Sequence, residues 1–124
     1  MSIFEIYSKT PLIVKKDWGH ELIFANNSAQ NYCGKILHIK KGHKFSMHFH
    51  DVKQETFYVL KGLVKVRLVD VRSKNGDQSC ETFHPGVCID IPRLLPHQIE
   101  ALEDSEIIEA STFHRDEDSY RIWR

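Results

Sequence analysis

Cysteine is scarce in this chain: Cys33, Cys80 and Cys88 are three residues in 124. An odd number, widely spaced and with no Cys-x-x-Cys pair, makes no disulfide framework, so free thiols in a reducing compartment are expected. Long apolar runs are absent too. The first twenty residues, MSIFEIYSKTPLIVKKDWGH, carry acidic Glu5, no basic leader and no extended hydrophobic segment. This argues against a signal peptide and a membrane span, and for a soluble cytoplasmic protein. Excess charge of one sign is missing as well: 17 basic and 17 acidic residues give a net charge of zero. The charges are interspersed, so no footprint for nucleic acid or an anionic membrane is present. A near-zero net charge permits self-association. Helical signal is weak, and the C-terminal RDEDSYRIWR is too short to specify a helix. No repeat, linker or composition break divides the chain, which is read as one domain over residues 1–124.

Strand signal is abundant. KILHIKK (35–41) and LVKVRLVDV (63–71) alternate apolar and polar residues in part. ETFYVL (55–60) is aromatic and β-branched, VCIDIP (87–92) alternates, and SEIIEASTF (105–113) is a further candidate. Turn signals recur at NNS (26–28), KKG (40–42), KG (61–62), SKNGDQ (73–78), HPG (84–86) and LEDS (102–105). Short strands punctuated every eight to twelve residues predict an antiparallel sandwich or barrel, with Asn75-Gly76 at a hairpin tip.

The chain holds eight histidines. In SMHFHDVKQETFYVLKG (46–62), His48 and His50 lie two apart. On a strand they project from one face. After the connection DVKQ, Glu55 opens a returning strand, so one hairpin presents two imidazoles and a carboxylate. His97, after the stiff turn between Pro92 and Pro96, is the candidate fourth member. Neutral imidazoles with one carboxylate suit a divalent first-row ion such as Fe, Mn, Co, Ni or Zn, and suit Ca or Mg poorly. Four protein ligands on an octahedral ion leave two positions for a small-molecule substrate or ligand.

These residues carry a family likeness. Gly42-x5-His48-x-His50-x4-Glu55-x6-Gly62 resembles the first cupin motif, and Gly86-x5-Pro92-x-Leu94-x2-His97 resembles the second. Leu94 and Ala101 stand where glycine and asparagine are usual. The likeness covers about residues 30–113. It implies an all-β, single-domain cupin barrel, a jelly roll or double-stranded β-helix. It also implies one metal ion bound by His48, His50, Glu55 and His97. DWGHELIFANN, GKILHIKKGHKFSMHFH, ETFYVLKGLVKV and STFHRDEDSYR further resemble the C-terminal cupin module of type II mannose-6-phosphate isomerases, in which glutamine commonly stands at the position of His48. That implies a sugar or sugar-phosphate isomerase or epimerase. An Fe(II)-type dioxygenase or a lyase of a small acid is the alternative, and a non-catalytic ligand-binding module is the third class.

Around this centre Lys44 and Arg93 are candidates for catalysis or phosphate binding, with Lys65 and Arg67 behind them, although lysine and arginine on short strands ordinarily reach to solvent. Phase with Glu55 turns Phe57 and Val59 inward and Tyr58 outward. Phe45, Met47 and Phe49 are expected on the face opposite the imidazoles. His20, His38, His43, His84 and His114 are read as non-ligands, and Cys88 as a packing residue. Cupins tend to be dimers, so a homodimer is expected, with the strand around PLIVKK a candidate for exchange between subunits.

Overall fold

The computed structural model describes residues 7–124; Glu5, invoked above against a leader, lies outside them. The described chain runs β1 (Leu12–Lys16), β2 (Gly19–Asn27), β3 (Tyr32–Ile39), β4 (Met47–Phe49), β5 (Glu55–Lys61), β6 (Val64–Val69), β7 (Gln78–Phe83), β8 (Cys88–Ile91), β9 (His97–Ala101), β10 (Ser105–Ser111), a 3-10 turn at Asp116–Asp118 and β11 (Tyr120–Trp123). All pairings are antiparallel. One sheet has the order β1-β2-β3-β10-β5-β8 and the other β11-β4-β9-β6-β7. The all-β jelly-roll expectation holds, and each of the five strand segments read from the sequence contains a strand.

Alternation is the reason the sheets face each other. On β5, Glu55, Phe57 and Val59 are buried while Tyr58 and Leu60 face out. Leu37, Ile39, Phe57, Val59, Ile91 and Ile107 from the first sheet meet Val64, Val66, Ile99 and Ala101 from the second, with Trp18 and Phe45 between them. Burial of each large aliphatic or aromatic side chain there contributes about 1.5–3 kcal/mol. Gly62 closes the first histidine segment at φ +95°, and a Cβ there would overlap Ser105 Oγ. Only glycine fits that approach.

Three details differ from expectation. Phe45 is buried against the histidine rings instead of on the opposite face, because β4 is only three residues long and alternation does not extend back through residues 40–46. Cys88 is exposed, and Cys33 is the buried thiol. The strand expected around PLIVKK is present as β1, paired with β2 at the edge of its sheet. The C-terminal residues form a strand: β11 pairs with β4, setting Arg121 opposite His48. Together β11 and β9 flank β4, which fixes the strand that carries His48.

Candidate metal centre

Two adjacent strands set the first pair of imidazoles, since His48 on β4 is the register partner of His97 on β9. His50 follows directly after β4, and Glu55 begins β5. His50, Glu55 and His97 are buried, and His48 is partly so. One ring nitrogen from each of His48, His50 and His97 lies within 4.8 Å of the others, so the three could hold one metal ion. Glu55 Oε1 is 2.8 Å from His97 Nε2 and 3.5 Å from His50 Nε2. The structure therefore groups His48, His50 and His97 and sets Glu55 against His50 and His97.

The backbone decides which nitrogen each ring presents. Nδ1 of His48 lies 2.8 Å from Ser46 O, Nδ1 of His50 2.8 Å from Asp118 O, and Nδ1 of His97 2.9 Å from Leu95 O. A carbonyl only accepts, so each Nδ1 carries the proton and each Nε2 keeps its lone pair. Two of these carbonyls, from Ser46 and Leu95, belong to residues two positions before the histidines they orient. The third comes from the far end of the chain.

Protonation follows from burial. Burial, reinforced by neighbouring His97, pushes His48 down to about 3. Burial also lowers His50, against the pull of Glu55. For Glu55, burial alone would raise the pKa, but the Lys53 ammonium, 3.4 Å from Oε2, overrides it and holds the carboxyl well below the usual range. The result is neutral His48 and His50 beside an ionised Glu55, the state that metal ligands require.

Glu55 Oε1 and His97 Nε2 are buried and have no hydrogen-bond partner. Their 2.8 Å separation is not aligned as a hydrogen bond. Two buried polar atoms left this way would each cost about 1–3 kcal/mol. Ligands about 2.1 Å from one ion at right angles lie about 3 Å apart, so this spacing fits atoms that share an ion.

Sequence reasoning missed the groups around this centre. Lys53, in the turn after His50, is buried. Its Nζ is 2.7 Å from Glu109 Oε2, 3.4 Å from Glu55 Oε2 and 3.1 Å from His114 Nδ1. Burial opposes its charge, but Glu109 and Glu55 prevail and raise its pKa. His114 accepts from Lys53 at Nδ1 and donates from Nε2 to Asp116 Oδ1 at 2.9 Å. Burial and then Lys53 lower its pKa. Asp118 gathers the 51–53 turn: Oδ1 accepts from Asp51 N at 2.9 Å, and Oδ2 accepts from Lys53 N at 3.0 Å. Asp118 thus positions both His50, through its carbonyl, and Lys53, through its carboxylate.

A cavity of about 270 Å³ opens on His48, His50 and Glu55. Lys44 lines it, as do Lys35, Lys53, Glu109, His114 and Arg121. His114 is therefore a wall residue of this cavity, though not one of the grouped imidazoles. Arg93 is elsewhere: it is exposed and lines a separate cavity with Leu68, Leu94 and Pro96. Lys65 and Arg67 do not line the histidine cavity either, and Arg67 Nη1 pairs with Glu100 at 2.8 Å. His20 and His38 stack 4.2 Å apart away from the site.

Comparison with known proteins bears on this geometry. A variant of oxalate decarboxylase from Bacillus subtilis superposes with a TM-score of 0.75 at 18% identity, over 90% of this chain and 30% of that one. Another structure of that decarboxylase, described with Mn(II) centres, gives 0.74 at 19% identity, over 90% and 30%. The capsular polysaccharide assembling protein CapF from Staphylococcus aureus gives 0.75 at 22% identity, over 94% and 34%. At such identities the likeness is one of fold, and this chain spans about a third of each of those chains. No curated protein sequence matches it at a significant level. The finer likeness to the mannose-6-phosphate isomerase module gains no support from these comparisons. The cupin likeness does: residues 35–110, more than half of the chain, match the Cupin_2 family, and the chain belongs to that family of cupin domains.

Proposed function

We propose that this cupin is a metal-dependent enzyme of isomerase or epimerase type, acting on a small polar molecule. One observation carries the reading. Three imidazoles have their Nδ1 atoms committed to backbone carbonyls; His48 and His50 line the cavity with Glu55, and His97 Nε2 lies 2.8 Å from the orphaned Glu55 Oε1. His48, His50, His97 and Glu55 are the proposed ligands of one divalent first-row ion. When bound, the ion supplies a Lewis acid for a substrate oxygen.

This chain's own residues do the rest. Lys53 holds Glu55 Oε2, which leaves Oε1 to the ion. Glu109 and His114 stand in the cavity wall, each bonded to Lys53, as one ionisable network through which a proton can pass. Their presence favours isomerisation or epimerisation over a module that only binds, which needs no acid–base pair. Trp18, Leu37 and Phe57 line the cavity's apolar side and limit water. Leu12 and Ile13, exposed on edge strand β1, support a homodimer.

The test is anaerobic incubation of the metal-loaded protein with candidate sugars and sugar phosphates in deuterated water. Deuterium entering a substrate C–H position without oxygen is the expected result. No exchange anaerobically, with turnover in a parallel aerobic incubation that consumes oxygen, would instead favour the dioxygenase alternative.

A further inference from the structure

Lys35 is a second buried cation in this cavity, and unlike Lys53 it is barely engaged. Its side chain is 2% exposed, and its one hydrogen-bond partner among the described residues is Glu21 Oε2 at 3.5 Å. An ammonium has three donors, so burial leaves two of them with no acceptor. A buried charge in that condition is costly unless something else pairs with it. The neighbouring carboxylates are already taken. Glu109, opposite Lys35 in the β3–β10 register, binds Lys53 and Ser111, and Glu55 faces Lys53 and the imidazoles.

Lys35 lines the same cavity as His48 and His50. At its mouth, exposed Lys16, Lys44 and Arg121 have no ion-pair partner among the described residues, whereas Arg124 is paired with Asp17. With an ion bound the cavity is net positive. Its volume of about 270 Å³ falls below the range of about 300–1,000 Å³ that suits drug-sized ligands. We infer that the occupant is a small oxyanion, a carboxylate or a phosphate, whose charged group is bound by the Lys35 ammonium. This rests on the metal reading only for the ligand's other end, and extends it by naming the ligand class.

The experiment is calorimetric titration of the Mn(II)-loaded protein with malonate, with inorganic phosphate and with malonamide, the neutral analogue of malonate. One of the two anions should bind, and which one separates carboxylate from phosphate as the recognised group. Malonamide should bind at least about tenfold more weakly than malonate if the carboxylate is the group recognised, since a charge-assisted hydrogen bond is worth about 1.5–3 kcal/mol. Lys35→Met should weaken binding of the preferred anion by about tenfold or more, with Lys35→Arg close to wild type and metal content unchanged in both. Binding of neither anion, equal binding of malonate and malonamide, or wild-type anion affinity in Lys35→Met would overturn the inference. Should Lys35→Met not fold, Lys35→Gln takes its place in the same titrations. Elemental analysis of the same samples tests the metal reading separately: wild-type protein that takes up no ion contradicts that reading, and anion binding to it still decides the role of Lys35.

Discussion

His97 Nε2 and Glu55 Oε1 stand 2.8 Å apart, both buried, without a hydrogen bond between them. The Nδ1 proton of His97 is committed to the Leu95 carbonyl, so in the neutral ring Nε2 is an acceptor. The two atoms are therefore two acceptors held close together, an arrangement that a cation between them would stabilise.

Lys53 is the protein's own cation at this place. Lys53→Met leaves Glu55 and Glu109 buried with no ammonium between them. Breaking one side of a buried ion network costs about 3–5 kcal/mol. Denaturant unfolding of the metal-free protein should show that loss, and Lys53→Met combined with Glu109→Gln should recover part of it. A loss of less than about 1 kcal/mol would show that the network is solvated.

Asp118 acts through its neighbours. Asp118→Ala strips acceptors from the backbone N–H groups of Asp51, Val52 and Lys53, and frees the segment whose carbonyl orients His50. We expect a stability loss of about 1–3 kcal/mol and metal affinity lower by about tenfold or more. Asp118→Asn, which keeps one acceptor, should lie between. Unchanged metal affinity in Asp118→Ala would mean that His50 is held by packing alone.

Stability of the metal-free protein should fall as pH drops below neutral. His48 is lowered from 6.5 to about 3. Between those values the unfolded chain takes up a proton that the folded chain refuses, so acid favours unfolding. His50 and His114 are lowered as well and act in the same direction. Glu55 and Asp118, both depressed, give stability that is present above the ordinary carboxylate pKa and lost as pH falls towards their folded values. Thermal unfolding of the metal-free protein at pH 7, 6, 5 and 4 should show a steady decline. A midpoint that stays level from pH 7 to 5 would contradict the buried neutral imidazoles.

Leu94 carries strain. It sits at φ +70° and is 53% exposed, with its N–H donated to His50 O at 2.7 Å. The left-handed region costs an L-residue about 1–2 kcal/mol, and glycine gives back part of that gain as chain entropy. Leu94→Gly should therefore stabilise the fold by up to about 1 kcal/mol. A loss of stability would mean that Leu94 packs more than its exposure suggests.

Most strands, though not β2 or β7, and the four central residues were legible in the sequence because short-range periodicity specifies them: two-residue spacing for His48 and His50, hairpin return for Glu55, a strand start for His97. Leu94 was also legible as a departure, since it occupies a motif position where glycine is usual, and the left-handed backbone gives the reason. Lys53 was not legible. It reads as a turn residue, and it points inward because Asp118, 65 residues away, holds the turn from behind. Lys35 and Glu109 did leave a signal. Each alternates with buried aliphatics, Lys35 with Leu37 and Ile39, and Glu109 with Ile107, so the period of two placed a charge on the inner face of both strands. Phe45 was misplaced because alternation was extended into a segment that is not a strand. β11 was missed because four exposed residues carry too little pattern.

The central claim is that His48, His50, His97 and Glu55 hold one ion. Elemental analysis of wild-type protein and His50→Ala, purified together after loading with the same metal, tests it most directly. The account predicts about one first-row ion per wild-type chain and loss of that ion in His50→Ala, with the folded state kept. His50→Ala carrying the wild-type amount of metal would contradict it.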